Sequence, residues 1–329
     1  MSRPTHPPAT HAPRRGEQAS AVVFPGLAGT TFSALGKFLV LDRFARPRVR
    51  VADEVLGYSL LDRFRASADD DYSEAAQVAS LISSLALAER AEELLGVRPR
   101  LCAGPSFGLR PLAVYSGSLD LAEGIRLTAQ IARREREYFR TRHSDVVTHT
   151  VVRVPAGPLA ELLAEWTGRG DWIEVSGDLD DGFAMISMRE ALLDEFKAAI
   201  TAMGGYSMQT MRPPAHATVL GELREAMERD VFAGFDIRAP HITVVKDQDG
   251  SIVDTGEAMR TMLLDTFHRP FDWRAVVGAL VAAGVRTIHF TGADLLFSRL
   301  DSTVRHFHVV KVDPKSALRP SPFHVGETA

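Results

Sequence analysis

Arg100-Leu101-Cys102-Ala103-Gly104-Pro105-Ser106-Phe107-Gly108 runs from a short apolar strand into a Gly-x-Ser-x-Gly turn, with a helical pattern directly behind it. Strand, sharp turn and helix in that order make a nucleophile elbow. The serine has to sit where its hydroxyl is exposed, and Gly104 and Gly108 flank it because side chains there would clash. The helix behind the turn aims its unpaired N–H groups at the same point, which favours developing negative charge. A glycine-bearing turn with a surface serine would leave the same trace, so the reading of Ser106 depends on the rest of the chain. Cys102 is the only cysteine, so no intrachain disulfide forms. Its place on the apolar approach to the turn makes it a small buried residue rather than a nucleophile.

Outward from the turn, the 329 residues are 45% hydrophobic, enough for one large domain or two smaller ones. The formal net charge of −4 gives no sign of a nucleic-acid binder. No apolar run approaches the length of a membrane span. Residues 1–18 are rich in Pro, Thr, His and Arg without the apolar core of a signal peptide. They read as a disordered leader, and the protein as soluble and cytoplasmic.

The pattern around the elbow alternates strand and helix. Ala19–Phe24 is a buried strand ending in the glycine turn Pro25–Thr31. Residues 32–47 and 54–64 have helical spacing, residues 68–73 form a polar loop, and Ser73-Glu74 opens a long helix closed by Gly96. Helices follow from Leu109 and from Leu119, the second ending dense in arginine. At about Val146 the pattern changes. Strand 147–154, helix 158–166, strands 172–176 and 183–188 around the turn 177–182, helix 189–203 and strand 206–211 give the order β-α-β-β-α-β of a small ferredoxin-like domain. Met211-Arg212-Pro213-Pro214-Ala215-His216 crosses back. Then come a helix at 220–229, strand 241–245, a turn at 247–250, helices 254–267 and 273–283, a last core strand at 287–290 and a last helix at 293–300. The expected fold class is α/β: a large α/β-hydrolase-like domain with a parallel-sheet core (19–145 and 212–312), an inserted ferredoxin-like domain (146–211), and a tail (313–329).

Taken together, these segments resemble the malonyl-CoA:acyl-carrier-protein transacylase family, including acyltransferases of polyketide synthases. Phe24-Pro25-Gly26 looks like the family's Phe-Pro-Gly-Gln start, Ser73–Gln77 like its Thr-Glu-x-x-Gln helix start, and Gly104–Gly108 stands for Gly-His-Ser-Leu-Gly. Leu119–Glu123 and Pro270-Phe271-Asp272-Trp273 follow in order, and His216 lies where the family's catalytic histidine lies. The resemblance spans about Val22 to Leu300. It implies Ser106 as nucleophile and His216 as its base, an oxyanion hole from the backbone N–H groups of Leu27 and Phe107, and a histidine oriented by a backbone carbonyl near Thr243–Val244, taken as Val244. A solvated loop histidine is the bland alternative for His216. Gln77, Pro105, Ile131 and Ala215 are the expected pocket residues. No cofactor is bound permanently, because the acyl group arrives on the phosphopantetheine of a carrier protein. No metal site is expected: His306 and His308 offer a pair on one strand face, but no third ligand lies nearby.

The departures from the family pattern carry the specificity reading. Malonyl-specific members hold the substrate carboxylate with an arginine, and counting from Asp120 that position is Ile131. Isoleucine supplies no bidentate partner, and Arg133 and Arg134 face other directions on the helix. Pro105 replaces a histidine, and Ala215 a frequent phenylalanine. The expected acyl group is neutral at its far end and larger than malonyl. Discrete acyltransferases of macrolactam polyketide pathways, which move an aminoacyl or dipeptidyl group between carrier proteins, are the most similar subgroup. Acyl carrier proteins are then both donor and acceptor, with Arg153 and Arg299 as docking cations. No nucleic-acid or membrane partner is expected. A malonyl loader, an editing thioesterase using the same serine, and a non-catalytic docking subunit are the alternatives.

Overall fold

The computed structural model describes residues 19–27, 31–67 and 72–319; the expected leader, most of the polar loop and the end of the tail lie outside them. In chain order the strands are β1 (Ala19–Val23), β2 (Leu101–Ala103), β3 (Val146–Val152), β4 (Ile173–Asp180), β5 (Phe183–Arg189), β6 (Tyr206–Met211), β7 (Thr243–Val245), β8 (Ile252–Val253), β9 (Phe271–Asp272), β10 (Val285–Thr291) and β11 (His308–Val312).

The large sheet has the order β11-β10-β1-β2-β7-β8, parallel except where β8 folds back on β7. Its central strands β1 and β2 are largely apolar because helices cover both faces. Side chains alternate across it: Val22, Cys102 and Val244 join the core on one face, and Ala21, Val23, Leu101, Ala103 and Val245 the core on the other. The elbow leaves the carboxyl end of β2, in the middle of the sheet, where open α/β sheets place their ligands.

The small sheet has the order β6-β3-β5-β4-β9. The first four strands are antiparallel neighbours. Helices Ala156–Gly168 and Leu193–Ala202 bring Trp166 and Phe196 into its own core. This is the expected ferredoxin-like domain with one addition: β9, from the large domain, pairs parallel to β4 through Gly177↔Phe271 and Asp178↔Asp272.

Several boundaries differ from the sequence expectation. The helix expected at 32–47 breaks at Asp42, whose carboxylate accepts from Phe44 and Ala45 N–H and starts a new helix, Ala45–Leu56. The third helix then begins at Leu60, capped by Ser59. β4 continues to Asp180, so the expected six-residue turn shrinks to Asp181-Gly182, with Gly182 at φ 64°. The expected last helix at 293–300 is a loop with one tight turn, held by the Asp294 carboxylate, and the helix proper is Asp301–His306. The strand expected to be last is followed by β11, which places His306 on a helix and His308 on a strand. Pro314 starts a short helix, Pro314–Ala317, rather than a tail. Among the described residues no helix is long and apolar enough to cross a membrane, and no group of His, Cys, Asp or Glu is placed to hold a metal.

Candidate active site

Ser106 follows β2 with φ at 56°, the left-handed region that a non-glycine residue rarely occupies. The turn is held from three sides. A side-chain carbon on Gly104 would come within 2.5 Å of the Gly108 carbonyl oxygen, and one on Gly108 within 2.0 Å of the Phe24 carbonyl oxygen. Both glycines are therefore required by close backbone approach. The third hold is Asp247, whose Oδ2 accepts the Ser106 backbone N–H at 2.9 Å. That N–H is thus taken and does not face a substrate oxyanion.

His216 follows the return crossing, also left-handed at φ 57°. Its Nε2 stands 2.8 Å from Ser106 Oγ. The small sheet sets its position: Thr148 on β3 accepts from the Ala215 N–H at 3.1 Å, and the Phe271 ring of β9 lies edge-on to the imidazole at 5.1 Å. Only 3% of His216 is exposed. Burial pushes its pKa down to about 4, against the pull of the Thr266 and Arg269 backbone carbonyls. At neutral pH the ring is uncharged and able to accept the Ser106 proton.

The backbone carbonyl expected to orient the ring, at Val244, makes no hydrogen bond to it, since His216 Nδ1 has no partner within hydrogen-bond reach among the described residues. Val244 lies inside β7, in register with Cys102 on one side and Val253 on the other. The carbonyls that raise the imidazole's proton affinity belong to residues after helix Gly256–Asp265.

A cavity of about 480 Å³ opens beside the pair, lined by Leu27, Gln77, Ser106, Phe107, Ile131, Ala215 and His216 among others. All the expected pocket residues therefore meet there except Pro105, which does not line the cavity. Pro105 is buried on the approach to the turn, where its carbonyl accepts the Gly108 N–H at 2.9 Å. Gly26 packs on the elbow: a side-chain carbon there would lie 3.7 Å from the Pro105 carbonyl oxygen and 4.0 Å from Ser106 Cβ. This brings Leu27 to the cavity wall beside Phe107. Ile131 is 2% exposed. Arg133 and Arg134 are turned away, Arg133 paired to Glu74 at 2.6 Å and Arg134 to Asp230 at 2.9 Å.

Three functional groups escaped the sequence reading. Arg110, four residues past Ser106 and so on the same helical face, lines the cavity with its guanidinium 4.9 Å from the Phe107 ring centre. It donates to Gln77 Oε1 and stands 3.6 Å from Glu135, also on the cavity wall. Asp247 is the third, and burial raises its carboxyl to about 7. Of the expected docking cations, Arg153 sits just past β3 rather than on it, at φ 59°, with its guanidinium over the exposed Tyr206 ring. Arg299 is exposed on the turn after Asp294.

A histidine facing an elbow serine, on a parallel sheet carrying an inserted ferredoxin-like domain, places the chain in the fold class of the malonyl-CoA:acyl-carrier-protein transacylases. A malonyl-transacylase solved with its type II PKS acyl-carrier protein superposes with a TM-score of 0.80 at 20% identity, over 91% of this chain and 97% of that one. The transacylase of Coxiella burnetii gives 0.79 at 20% identity, over 92% and 96%. Within that class, residues 150–211 match the family model of the VinK acyltransferase small domain. The malonyl CoA-acyl carrier protein transacylase of Escherichia coli (strain K12) is 21% identical over 288 residues, covering 86% of this chain and 92% of that protein.

Proposed function

We propose that this protein is an acyltransferase that moves an acyl group between carrier proteins through a Ser106 ester, and that the group is bulkier than malonyl and of aminoacyl or dipeptidyl type. The observation that carries the chemistry is the 2.8 Å contact between Ser106 Oγ and a buried, uncharged His216 at the wall of the cavity. Ser106 Oγ attacks the thioester carbonyl while its proton passes to His216 Nε2. The N–H groups of Leu27 and Phe107 hold the oxyanion. Collapse breaks the C–S bond, and the proton on His216 goes to the departing pantetheine thiol. The thiol of a second carrier then attacks the ester by the reverse route and releases Ser106.

Two features support the acyl assignment. By the resemblance, the position that binds the malonyl carboxylate is the apolar Ile131, which lines the cavity. The one buried guanidinium on the cavity wall, Arg110, is already engaged by Gln77 and Glu135. Exposed Arg153 and Arg299 are placed to meet an acidic carrier. A second reading, transfer of malonyl from CoA, is favoured by the relatives' names and by Arg136 and Arg140 on the cavity wall. Intact-protein mass spectrometry separates the two. A mass gain from an aminoacyl or dipeptidyl carrier protein, absent in Ser106→Ala and passed to a second carrier, supports carrier-to-carrier transfer. A malonyl adduct formed from malonyl-CoA refutes the acyl assignment and leaves the Ser106 chemistry standing.

A further inference from the structure

The cavity holds a carboxylate that the chemistry above does not use. Glu135 lies one turn beyond Ile131 on helix Leu121–Phe139 and keeps 24% of its side chain open. Its cationic neighbour is Arg110, 88% of whose side chain is covered. Arg110 divides its contacts: Nη1 donates to Gln77 Oε1, the guanidinium lies by the Phe107 ring, and Nη2 faces Glu135. Gln77 is itself fixed, its Nε2 donating to the Tyr72 carbonyl at 2.9 Å. Arg110 approaches Glu135 only to 3.6 Å, longer than a charge-assisted hydrogen bond. A carboxylate accepts at about four sites, so Glu135 retains room for a strong donor from the cavity side. The other ionic groups on that wall, Arg136, Arg140 and Arg212, are exposed, and Arg212 is paired to Glu190. Around Glu135 the wall is apolar, with Ile131, Ala132 and Leu223.

We propose that Glu135 is the recognition group for an ammonium carried by the acyl chain, so that the cavity selects aminoacyl or peptidyl thioesters with a free amine. The inference rests on the acyl-enzyme reading of Ser106. An ammonium against Glu135 adds donors to those of Arg110 and Gln77 on the carboxylate's open side, and a malonyl carboxylate at that spot meets like charge. Burial pushes the Glu135 carboxyl up while Arg110 and Gln77 pull it down; an incoming cation adds to the downward pull and keeps the group ionised.

The test uses the full-length protein and two synthetic pantetheine thioesters, β-alanyl and N-acetyl-β-alanyl, in which acetylation removes the amine's charge and adds an acetyl group. The rate of mass gain on Ser106 is followed for each, with malonyl-pantetheine as a third donor and Ser106→Ala as the blank. The unaltered protein is expected to take the free-amine thioester roughly 10- to 100-fold faster than its acetylated twin. In Glu135→Gln that ratio falls to about 1. Equal rates in the unaltered protein, or an unchanged ratio in Glu135→Gln, overturns the proposal. The first comparison needs no variant, so poor folding of Glu135→Gln does not protect it. Loading of acetylated or malonyl donors without amine preference removes the role of Glu135 and leaves the acyl-enzyme standing. No loading from any donor removes both.

Discussion

Gly108→Ala isolates what the elbow contributes. Gly108 has an ordinary helical φ of −57°, so alanine meets no conformational objection. The obstacle is space: the new methyl would lie 2.0 Å from the Phe24 carbonyl oxygen, 2.9 Å from its carbon and 3.1 Å from the Pro25 carbonyl oxygen. Carbon and oxygen come to rest at about 3.3 Å or more, so something must move by about 1 Å. Neither side yields easily. Phe24 is fully buried, and its N–H donates to Ala103 at 3.0 Å. Gly108 donates to Pro105 at 2.9 Å. The strain corresponds to overpacking of about 1–3 kcal/mol, or more where backbone is the obstacle. The chemical cost is larger, because a shift of the Phe24–Gly26 segment or of the elbow changes both the Ser106–His216 contact and the Leu27–Phe107 pair. Misplacement by about 1 Å is worth about 100-fold in rate. The assay is the rate of fluorophosphonate labelling at Ser106, read beside thermal unfolding. Gly221→Ala serves as control, since a methyl there meets nothing within 4 Å. Labelling of Gly108→Ala at the unaltered rate would refute the elbow argument.

Four further outcomes are expected. With His216 held near 4, labelling of Ser106 keeps its plateau well below pH 6.5, and an acid limb centred near 6.5 contradicts the buried neutral ring. Stability couples to the same ring and to Asp247 with opposite signs. His216 binds a proton less readily when folded, so it adds stability as pH rises from about 4 to 6.5; Asp247, raised to about 7, loses stability as pH rises from about 3.8 to 7. Denaturant titrations of Asp247→Asn should therefore show stability rising with pH over that window, more steeply than in the unaltered protein, and a flat or falling curve counts against it. Ile131→Arg puts a guanidinium one turn before Glu135, where an i,i+4 pair forms; malonyl loading is expected only when Glu135→Gln is added, and loading by Ile131→Arg alone would show the pair does not form. Charge reversal at Arg153 or Arg299 should raise KM for a carrier protein and spare small-thioester turnover, whereas equal loss on both argues against docking.

The sequence exposed the parts of this molecule that obey local rules. The elbow has its glycines, the ferredoxin-like domain its alternating strands, and His216 a fixed place after the crossing. What stayed hidden depends on long-range pairing. β8 and β9 are two residues each, too short for any periodicity, and β11 is an edge strand beside a partner it meets only through folding. Asp247 lies in an Asp-Gln-Asp-Gly stretch that reads as a solvent turn, yet its carboxylate is buried on Ser106 N–H. Glu135 sits among arginines that look like a wet helix end, and only the fold of helix Leu121–Phe139 against the elbow turns that residue inward. The spacing from Ser106 to Arg110, one helical turn, was the one legible sign of the cluster.

The pairing of β9 with β4 bears on recombination. The segment matching a family model, residues 150–211, looks like a cassette to exchange between relatives. Its sheet, however, is completed by Phe271-Asp272, and the same Phe271 ring lies against His216. A transplant cut at the ends of the cassette would set a foreign edge against a native strand, and the mismatch would be felt at the imidazole. A chimera that keeps its chemistry has to carry three pieces together: the inserted domain, the return crossing through His216, and the stretch around Phe271, 55 residues beyond His216.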